Sequence, residues 1–275
     1  MHPRRTSSLP APQRTVAYDS HYVDNFFHLL TPPINTPAPA SLSRSNIPSD
    51  WAIRTHVLDW LLRVHRRCPM GTDTLWLAVD IFHRYLNIRA NVTHNYHVTA
   101  VTSLYIASKY EETVHPTLQS MSTLIDGLDR TRDHMRREEQ HILQALHYSI
   151  SSYISPAQWI LRIASAVACV TETIRIANVL VESTITHQAF LSIPPRHLAA
   201  SAVLIAITIK RETWNTSLES YSGYAAEALL PTARDILRVI RCSSFPHSSV
   251  YEKYGGARHH FYSHHVRAWA DDNTF

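Results

Sequence analysis

The stretch from Val98 to Lys109 is apolar or small at almost every position and contains neither glycine nor proline. A helix that is apolar on every side is buried on every side, so the stretch predicts the central helix of an all-α domain. Small residues such as Ala100 and Ala107 let neighbouring helices approach closely. The stretch ends in Lys109-Tyr-Glu-Glu112, which forms either an ordinary solvated helix end or a charged cluster held at a fixed place on the surface.

Amphipathic segments flank this central helix. Their apolar residues recur at helical spacing, and proline, glycine or polar residues separate one segment from the next. In the first half of the chain the pattern predicts helices at 51–66, 72–86, 94–110, 117–124 and 131–146. In the second half it predicts helices at 156–168, 172–190, 195–210, 216–221 and 223–241.

The second half contains its own all-apolar helix, from His197 to Lys210. Aligning Lys210 with Lys109 matches Leu104 with Ile205, and each buried helix follows two amphipathic ones. A repeat of about a hundred residues is too long for a solenoid unit. The pattern therefore predicts an all-α protein made of two tandem five-helix folds.

The rest of the chain is divided by composition. Residues 1–17 are rich in Pro, Ser and Arg and are predicted to be a disordered tail. Residues 18–47 are predicted to be a short N-terminal helix, near 19–30, followed by a Pro-rich linker. So short a helix must pack on its own body or on a partner. The two folds are predicted at 48–153 and 154–243, and a polar, His-rich C-terminal tail at 244–275.

Composition excludes several classes of protein. The net charge of +4 is scattered along the chain, a weak case for nucleic-acid binding. The longest apolar run, 199–209, is too short to span a bilayer, and the N-terminus is not a signal peptide, so no membrane association is expected. The 3 cysteines form no paired motif, which favours a reducing compartment, and we expect the protein in the nucleus and cytoplasm.

Catalytic signatures are missing from the sequence. It contains no Gly-rich nucleotide loop, no metalloprotease motif and no nucleophile elbow. Four histidines, His259, His260, His264 and His265, either bind a metal from one helix face or belong to a solvated tail. The tail is the favoured interpretation, so we expect neither a metal nor a cofactor. The chain is more typical of an interaction module than of a catalyst.

Several segments, in order, resemble the cyclins, and most closely the mitotic B-type group. Ile53-Arg-Thr-His-Val-Leu-Asp-Trp-Leu61 is similar to that family's opening Met-Arg-x-Ile-Leu-x-Asp-Trp-Leu, and Ile106-Ala-Ser-Lys-Tyr-Glu-Glu112 is nearly its third-helix signature. Further similar segments lie at 74–86, 138–148, 214–218, 222–224 and 251–254. The resemblance covers about residues 18–263.

The resemblance implies two cyclin folds and a regulatory, non-catalytic subunit. That subunit would bind and activate a cyclin-dependent Ser/Thr kinase in cell-cycle control at G2/M. By position, Lys109 and Glu139 are the charged pair expected to bond the kinase near its regulatory C-helix. The full set of implied kinase-binding residues is Lys109, Glu139, Tyr110, Glu112, Ile106, Leu143, Tyr148, Ile150, Phe26 and Leu29. For Ile106 and Leu143, core packing is the alternative.

The implied substrate-docking patch departs most from the family. It maps to Ile53, His56, Val57, Trp60, Arg63 and His97, where the family commonly has an apolar residue at position 56, Glu at 63 and Gln at 97. The acidic partner for a basic docking peptide has therefore become basic. As the alternative to a patch, these residues form only a first-helix surface.

Two other departures concern structure and turnover. His83 stands where the family has the acid that pairs with the arginine matching Arg54, and Asp80, one turn earlier, is the expected substitute. No Arg-x-x-Leu destruction motif occurs in the first fifty residues.

A second function remains open on the same fold. Related five-helix repeats act as scaffolds of the transcription machinery and bind nucleic acid. A concentrated basic face would favour that function. The scattered basic residues and the presence of both Lys109 and Glu139 favour the kinase partner instead.

Overall fold

A computed structural model describes residues 50–89, 95–125, 131–150, 154–167 and 170–273. These residues contain helices and no strand, so the prediction of an all-α fold is confirmed. The first fold consists of α1 Trp51–Arg67, α2 Thr72–Ile88, α3 Tyr96–Glu111, α4 Leu118–Ser122 and α5 Thr131–Ala145. The second consists of α6 Pro156–Ala164, α7 Val170–Glu182, α8 Pro195–Ile209, α9 Thr216–Ser222 and α10 Ala226–Arg241. Two further helices follow, α11 Ser249–Tyr254 and α12 Tyr262–Asp272.

Each fold is built around its all-apolar helix, as the sequence predicts. Helix α3 packs against α1, α2, α4 and α5, and its residues from Val98 to Leu104 are buried. Helix α8 packs against α6, α7, α9 and α10, and is buried from Leu198 to Ile207. Because both helices are apolar on every face, neither could leave the centre of its fold without exposing large side chains to water.

Polar side chains fix where the helices begin. Asn95 accepts a hydrogen bond from the backbone N–H of Val98 at 3.3 Å, which places the start of α3. Ser155 does the same for α6 at 3.1 Å, with a proline at the first helical position, as its Ser-Pro pair predicts. Such caps satisfy backbone donors that a helix cannot satisfy internally.

The predicted helix at 172–190 is shorter in the structure, since α7 ends at Glu182. The hydroxyls of Ser183 and Thr184 donate to the carbonyls of Leu180 and Val181, at 2.6 and 2.7 Å. Local side-chain bonds of this kind compete with helix continuation. Turns and a short 3-10 helix, Gln188–Phe190, then lead towards α8.

The expectation of a polar tail beyond Ser243 is wrong for the described residues. Helix α11 packs against α1 and α7, and α12 packs against α7, α10 and α11. Widely spaced apolar residues are buried in this segment, namely Phe245, Val250, Tyr254, Tyr262, Val266 and Ala270. The histidines between them lower the average hydropathy of the segment without interrupting its buried face.

A buried ionic cluster joins α11 to α7. The carboxylate of Glu182 has no exposed surface and receives bonds from Lys253 Nζ, 2.8 Å from each of its oxygens. Tyr254 Oη donates to the same carboxylate at 2.8 Å. Burial, followed by the charge of Glu182, raises the pKa of Tyr254 well above its usual value, so this hydroxyl stays protonated.

Arg54 of α1 is buried, and its partners differ from those expected. Its Nε bonds Asp50 Oδ1 at 3.0 Å, and its Nη1 donates to Asn87 Oδ1 at 3.1 Å. The expectation that Asp80 replaces the missing acid is wrong, because Asp80 pairs one turn along its own helix with Arg84, at 3.1 Å. Asp50, at the start of α1, supplies the charge instead.

His83 of α2 is buried beside Arg54, and its ring stacks on Trp51 with centroids 5.7 Å apart. Neither ring nitrogen has a hydrogen-bond partner among the described residues. Burial, assisted by the positive charge of Arg54, lowers the pKa of His83 to about 3. The imidazole is therefore neutral in the folded protein near neutral pH.

This depressed pKa predicts a loss of stability in mild acid. The unfolded chain takes up a proton on His83 below about pH 6.5, whereas the folded chain does not until about pH 3. Stability is thus lost as the pH falls through this window, by about 2 kcal/mol at pH 5. Between pH 7 and pH 5, we expect the free energy of unfolding of His83→Phe to fall by about 2 kcal/mol less than that of wild type. Urea unfolding at the two pH values measures this difference. Identical pH dependence of the two proteins would show that His83 is protonated within the fold.

Candidate functional site

Lys109 and Glu139 lie side by side where α3 ends against α5. The ammonium of Lys109 forms an ion pair with Glu139 Oε1 and lies 4.6 Å from the centroid of the Tyr105 ring. The Lys109 side chain is about a third exposed, at 34%, and that of Glu139 is 16% exposed. The structure thus brings together the two charges that the sequence places thirty residues apart, and it holds them at the surface.

Apolar and aromatic surface surrounds this pair. Tyr110 is 60% exposed and follows Lys109 directly, while Leu143 of α5 is half-buried one turn beyond Glu139. Glu111 is largely exposed, but partial burial of its carboxyl, followed by the negative charges of Asp73 and Glu112, raises its pKa. Tyrosine is enriched at protein interfaces, so the exposed Tyr110 beside this ion pair favours an interface over a solvated helix end.

Two predicted contact residues face inward. Ile106 is only 4% exposed, so its side chain lies in the core and the packing alternative applies to it. The central position of α3 explains this, because every face of that helix is covered. Glu112 is half-buried, and its Oε1 accepts bonds from the backbone N–H of Gly71 at 2.6 Å and from Thr74 Oγ1 at 2.5 Å. Glu112 therefore caps the start of α2.

The chain after α5 presents Tyr148, which is 69% exposed. His147 and Tyr148 have φ of 49° and 60°, a left-handed conformation that is costly for residues with a side chain. Arg84 holds the segment in place by donating to the carbonyls of Ser149 at 2.6 Å and Ile150 at 3.0 Å. The half-buried Ile150 thus has a defined position beside Tyr148.

Sequence reasoning missed the role of Arg84. Its guanidinium also pairs with Asp80, whose pKa is raised to about 6 by burial although Arg84 opposes the shift. The spacing of Asp80 and Arg84, four residues apart on a predicted helix, was the available signal. The sequence gives no sign that the same arginine reaches residues 149 and 150. Phe26 and Leu29, the predicted contacts of the N-terminal helix, lie outside the described residues.

The predicted docking patch is only partly assembled on α1. Ile53 is half exposed, at 50%, and the half-buried Trp60 packs edge-on against His97 with centroids 4.8 Å apart. Val57 is 1% exposed, so its side chain is buried in the core and adds almost no surface to the patch floor. His56 is exposed and lines a cleft towards the second fold, beside His187 and Phe245.

The charge at Arg63 is balanced within the chain. Its Nη1 pairs with Asp59 Oδ2 at 3.0 Å, and Asp59 Oδ1 accepts a bond from the backbone N–H of Ser249 at 2.9 Å. Arg63 itself is exposed, and burial lowers the pKa of His97, which favours its neutral form. The patch therefore carries one paired positive charge.

Two of the histidines near the C-terminus, His259 and His264, contact tyrosine side chains. His264 Nδ1 bonds Tyr251 Oη at 2.8 Å, and the ring of His259 packs edge-on against Tyr254. Among the residues that the structure describes, no group of three or more His, Cys, Asp or Glu side chains is arranged to hold a metal ion. Cys68 and Cys242 are free thiols. None of the described helices is both long enough and apolar enough to cross a bilayer.

Comparison with protein families gives two matches that follow each other along the chain. The family "Cyclin, N-terminal domain" matches residues 26–151, and the family "Cyclin, C-terminal domain" matches residues 154–268. Together these matches span both five-helix folds, helix α11 and most of helix α12.

Among curated proteins, the chain is similar to G2/mitotic-specific cyclins of fungi. It is 29% identical to cyclin cdc13 of Schizosaccharomyces pombe, over 92% of this chain and 52% of that protein. It is 30% identical to cyclin-3 of Saccharomyces cerevisiae, over 80% of this chain and 51% of that protein. The chain thus spans about half the length of the curated relatives it matches.

Solved structures share the fold at low sequence identity. A viral cyclin from herpesvirus saimiri matches with a TM-score of 0.59 and 16% identity, over 69% of this chain and 84% of that one. A chain of the yeast RNA Pol II CTD kinase CTDK-1 complex matches with a TM-score of 0.54 and 17% identity, over 70% of this chain and 66% of that one.

Proposed function

We propose a kinase-regulating function for this chain, which belongs to the cyclin family: it binds and activates a cyclin-dependent Ser/Thr protein kinase in cell-cycle control at G2/M. Family membership rests on the two matching domains, which follow each other along the chain. The similarity to G2/mitotic-specific cyclins supports the cell-cycle role and its stage. The chain performs no catalysis of its own in this proposal, and it acts in the nucleus and cytoplasm.

The observation that carries the proposal is the ion pair of Lys109 with Glu139, beside the exposed Tyr110. Lysine offers three donors and glutamate two acceptor oxygens, so each can bond a kinase residue while keeping its partner in this chain. Leu143, Tyr148 and Ile150 add apolar contact around the charges. Glu112 contributes by fixing α2, and Phe26 and Leu29 extend the contact from the N-terminal segment.

The physical mechanism is a shift of the kinase towards its active arrangement. A protein kinase needs an ion pair between a strand lysine and a glutamate of its C-helix, together with an ordered activation loop. A rigid partner that binds only this arrangement raises its population by the difference in affinity between the two states. The helices α3 and α5 provide a rigid surface because they are packed along their length.

A pull-down from lysate tests the identity of the partner. The tagged chain is expected to capture a cyclin-dependent kinase, identified by its peptides, and the capture is expected to fail for Lys109→Ala combined with Glu139→Ala. Capture of basal transcription factors without a kinase would support the scaffold function instead. If the double variant captures the kinase as well as wild type does, the charged pair does not contribute to the interface.

The docking patch is predicted to bind Arg-x-Leu peptides weakly. Ile53 and Trp60 leave an apolar floor, but Arg63 places a positive charge where a basic peptide needs an acid. Two like charges about 4 Å apart repel by about 4 kcal/mol near a surface, which salt and side-chain freedom reduce to about 1 kcal/mol. The pair with Asp59 weakens the repulsion further. We expect Arg63→Glu to bind such a peptide several-fold more tightly.

Fluorescence anisotropy with one labelled Arg-x-Leu peptide measures this difference. Arg66→Glu, on the same helix and likewise exposed, is the matched control, since it changes the same charge and should leave affinity nearly unchanged. Tight binding by wild type that is unaffected by Arg63→Glu would show that the peptide binds elsewhere.

A further inference from the structure

Helix α5 is followed by a turn, residues 147–150, that reaches a left-handed conformation without a glycine. His147 and Tyr148 have φ of 49° and 60°. Glycine is the usual residue at such a helix end, because a side chain makes this conformation costly. A costly backbone conformation persists only where the surrounding structure fixes it firmly. The 147–150 turn therefore depends on bonds that hold it in place.

Backbone bonds tie the turn to the end of α5. The N–H of Tyr148 donates to the carbonyl of Leu143 at 2.9 Å, and the N–H of Ser149 donates to the carbonyl of Leu146 at 2.9 Å. These bonds use the last carbonyls of the helix, which a helix cannot satisfy internally. The carbonyls of Ser149 and Ile150 are then available to acceptor positions for another part of the fold.

Arg84 of α2 occupies these two positions. Its Nη2 donates to the carbonyl of Ser149 at 2.6 Å, and its Nη1 donates to that of Ile150 at 3.0 Å. The same Nη1 lies 3.1 Å from Asp80 Oδ2, one turn earlier on α2. A guanidinium carries five N–H donors in a fixed plane, so one side chain can bond all three oxygens together. The Arg84 side chain is only 16% exposed and lies against the protein.

The turn carries side chains of the proposed kinase contact. Tyr148 is 69% exposed and Ile150 is half-buried, and the turn is anchored to Leu143, one turn of α5 beyond Glu139. The rotamers that a side chain can adopt depend on its backbone angles. The direction of the Tyr148 ring therefore depends on the 147–150 turn keeping its conformation.

We propose that Arg84 is a positioning residue for kinase binding, which holds the 147–150 turn in the conformation that the kinase recognises. This inference rests on the proposed kinase-regulating function and extends it to a residue on a helix behind the contact surface. The physical effect is preorganisation. A contact segment that already has its bound conformation loses less conformational freedom on binding, so the complex is tighter. Without Arg84 the turn relaxes, and binding has to restore its order.

Two measurements on Arg84 variants test the proposal. Calorimetric titration with a purified cyclin-dependent kinase is expected to show a loss of affinity of about tenfold for Arg84→Gln. Hydrogen exchange of the chain without kinase is expected to become faster at residues 147–150 in the same variant. Arg84→Lys keeps a positive charge beside Asp80 but lacks the planar fork, so it should lose less affinity. Arg84→Lys also serves as the test if thermal melting shows that Arg84→Gln is not folded.

Two further variants separate positioning of the turn from general stability. Arg241→Gln is the matched control, because Arg241 Nε likewise donates to a backbone carbonyl, that of Ala270 at 2.7 Å, but on the second fold. This variant should bind the kinase like wild type. Addition of His147→Gly to Arg84→Gln should recover part of the lost affinity, because glycine adopts the left-handed conformation without a side-chain penalty. A substitution within the turn would not correct a general loss of stability.

Any of three results would overturn the proposal. The first is wild-type affinity of a folded Arg84→Gln or, if that variant is unfolded, of Arg84→Lys. The second is a loss of affinity with unchanged hydrogen exchange at residues 147–150, which would mean that Arg84 does not act through the turn. The third is a loss that His147→Gly does not reduce. If wild type itself binds no kinase, the result contradicts the kinase-regulating function on which this inference rests, whatever the exchange measurement shows.

Discussion

Glu182→Ala is expected to lower the free energy of unfolding by about 3–5 kcal/mol. The substitution removes a carboxylate with no exposed surface and leaves the ammonium of Lys253, whose side chain is 13% exposed, without its partner. It also removes the acceptor of the buried Tyr254 hydroxyl. An uncompensated buried charge is costly because the interior cannot solvate it as water does. The effect should also loosen α11, which joins the second fold to α1.

Glu172→Ala is the matched control on the same helix. Glu172 also forms an ion pair with a lysine, Lys210, but its side chain is 48% exposed, so the loss should be below about 1 kcal/mol. Urea unfolding followed by circular dichroism measures both variants. The double variant Glu182→Met with Lys253→Met should be more stable than Glu182→Ala, since no unpaired charge remains. Similar losses for Glu182→Ala and Glu172→Ala would show that burial of the first pair has no energetic consequence.

Features that depend on a continuous run of residues in the chain were predictable from the sequence. The two central helices are apolar on every face, and that property alone determines that they lie at the centre of their folds. The Ser-Pro pair before α6 predicted its start because both residues act locally. The charged pair was also found from sequence, through the family motifs that contain Lys109 and Glu139.

Features that depend on contacts distant in sequence were not predictable. The pattern around Ile106 fits a surface contact and a core residue equally well, and only the packing of neighbouring helices decides for the core. Arg54 bonds Asp50 and Asn87. Which acidic residue pairs with it depends on the direction in which α1 begins. The segment after Ser243 forms helices because its sparse apolar residues find a surface on α7 and α10, which its own composition does not reveal.

Exchange of the charged pair, Lys109→Glu with Glu139→Lys, is expected to preserve the fold and to weaken kinase binding by about 2–5 kcal/mol. The exchange keeps an ion pair within the chain, so its effect on stability should be small. Each charge presented to the kinase is reversed, however, and groups desolvated at an interface tolerate a wrong charge poorly. Alanine variants cannot separate these two effects, because they also break the pair inside the chain.

The same exchange on the second fold, Lys210→Glu with Glu172→Lys, is the control. This pair also forms at the end of a central helix, but it lies outside the proposed interface. Isothermal titration calorimetry with a purified kinase compares the two exchanges. Equal affinity of the first exchange and wild type would contradict the proposed role of Lys109 and Glu139.

The most direct test of the regulatory function is the rate at which a purified cyclin-dependent kinase phosphorylates a histone-type peptide as this chain is added. The account predicts that the rate rises and saturates as a complex of the two proteins forms, that the chain alone transfers no phosphate, and that the Lys109→Glu, Glu139→Lys exchange shifts saturation to much higher concentrations. The contradicting result would come from the kinase that this chain captures from the source lysate. If its rate of peptide phosphorylation does not change when the chain is added at saturating concentration, the proposed regulatory function is wrong.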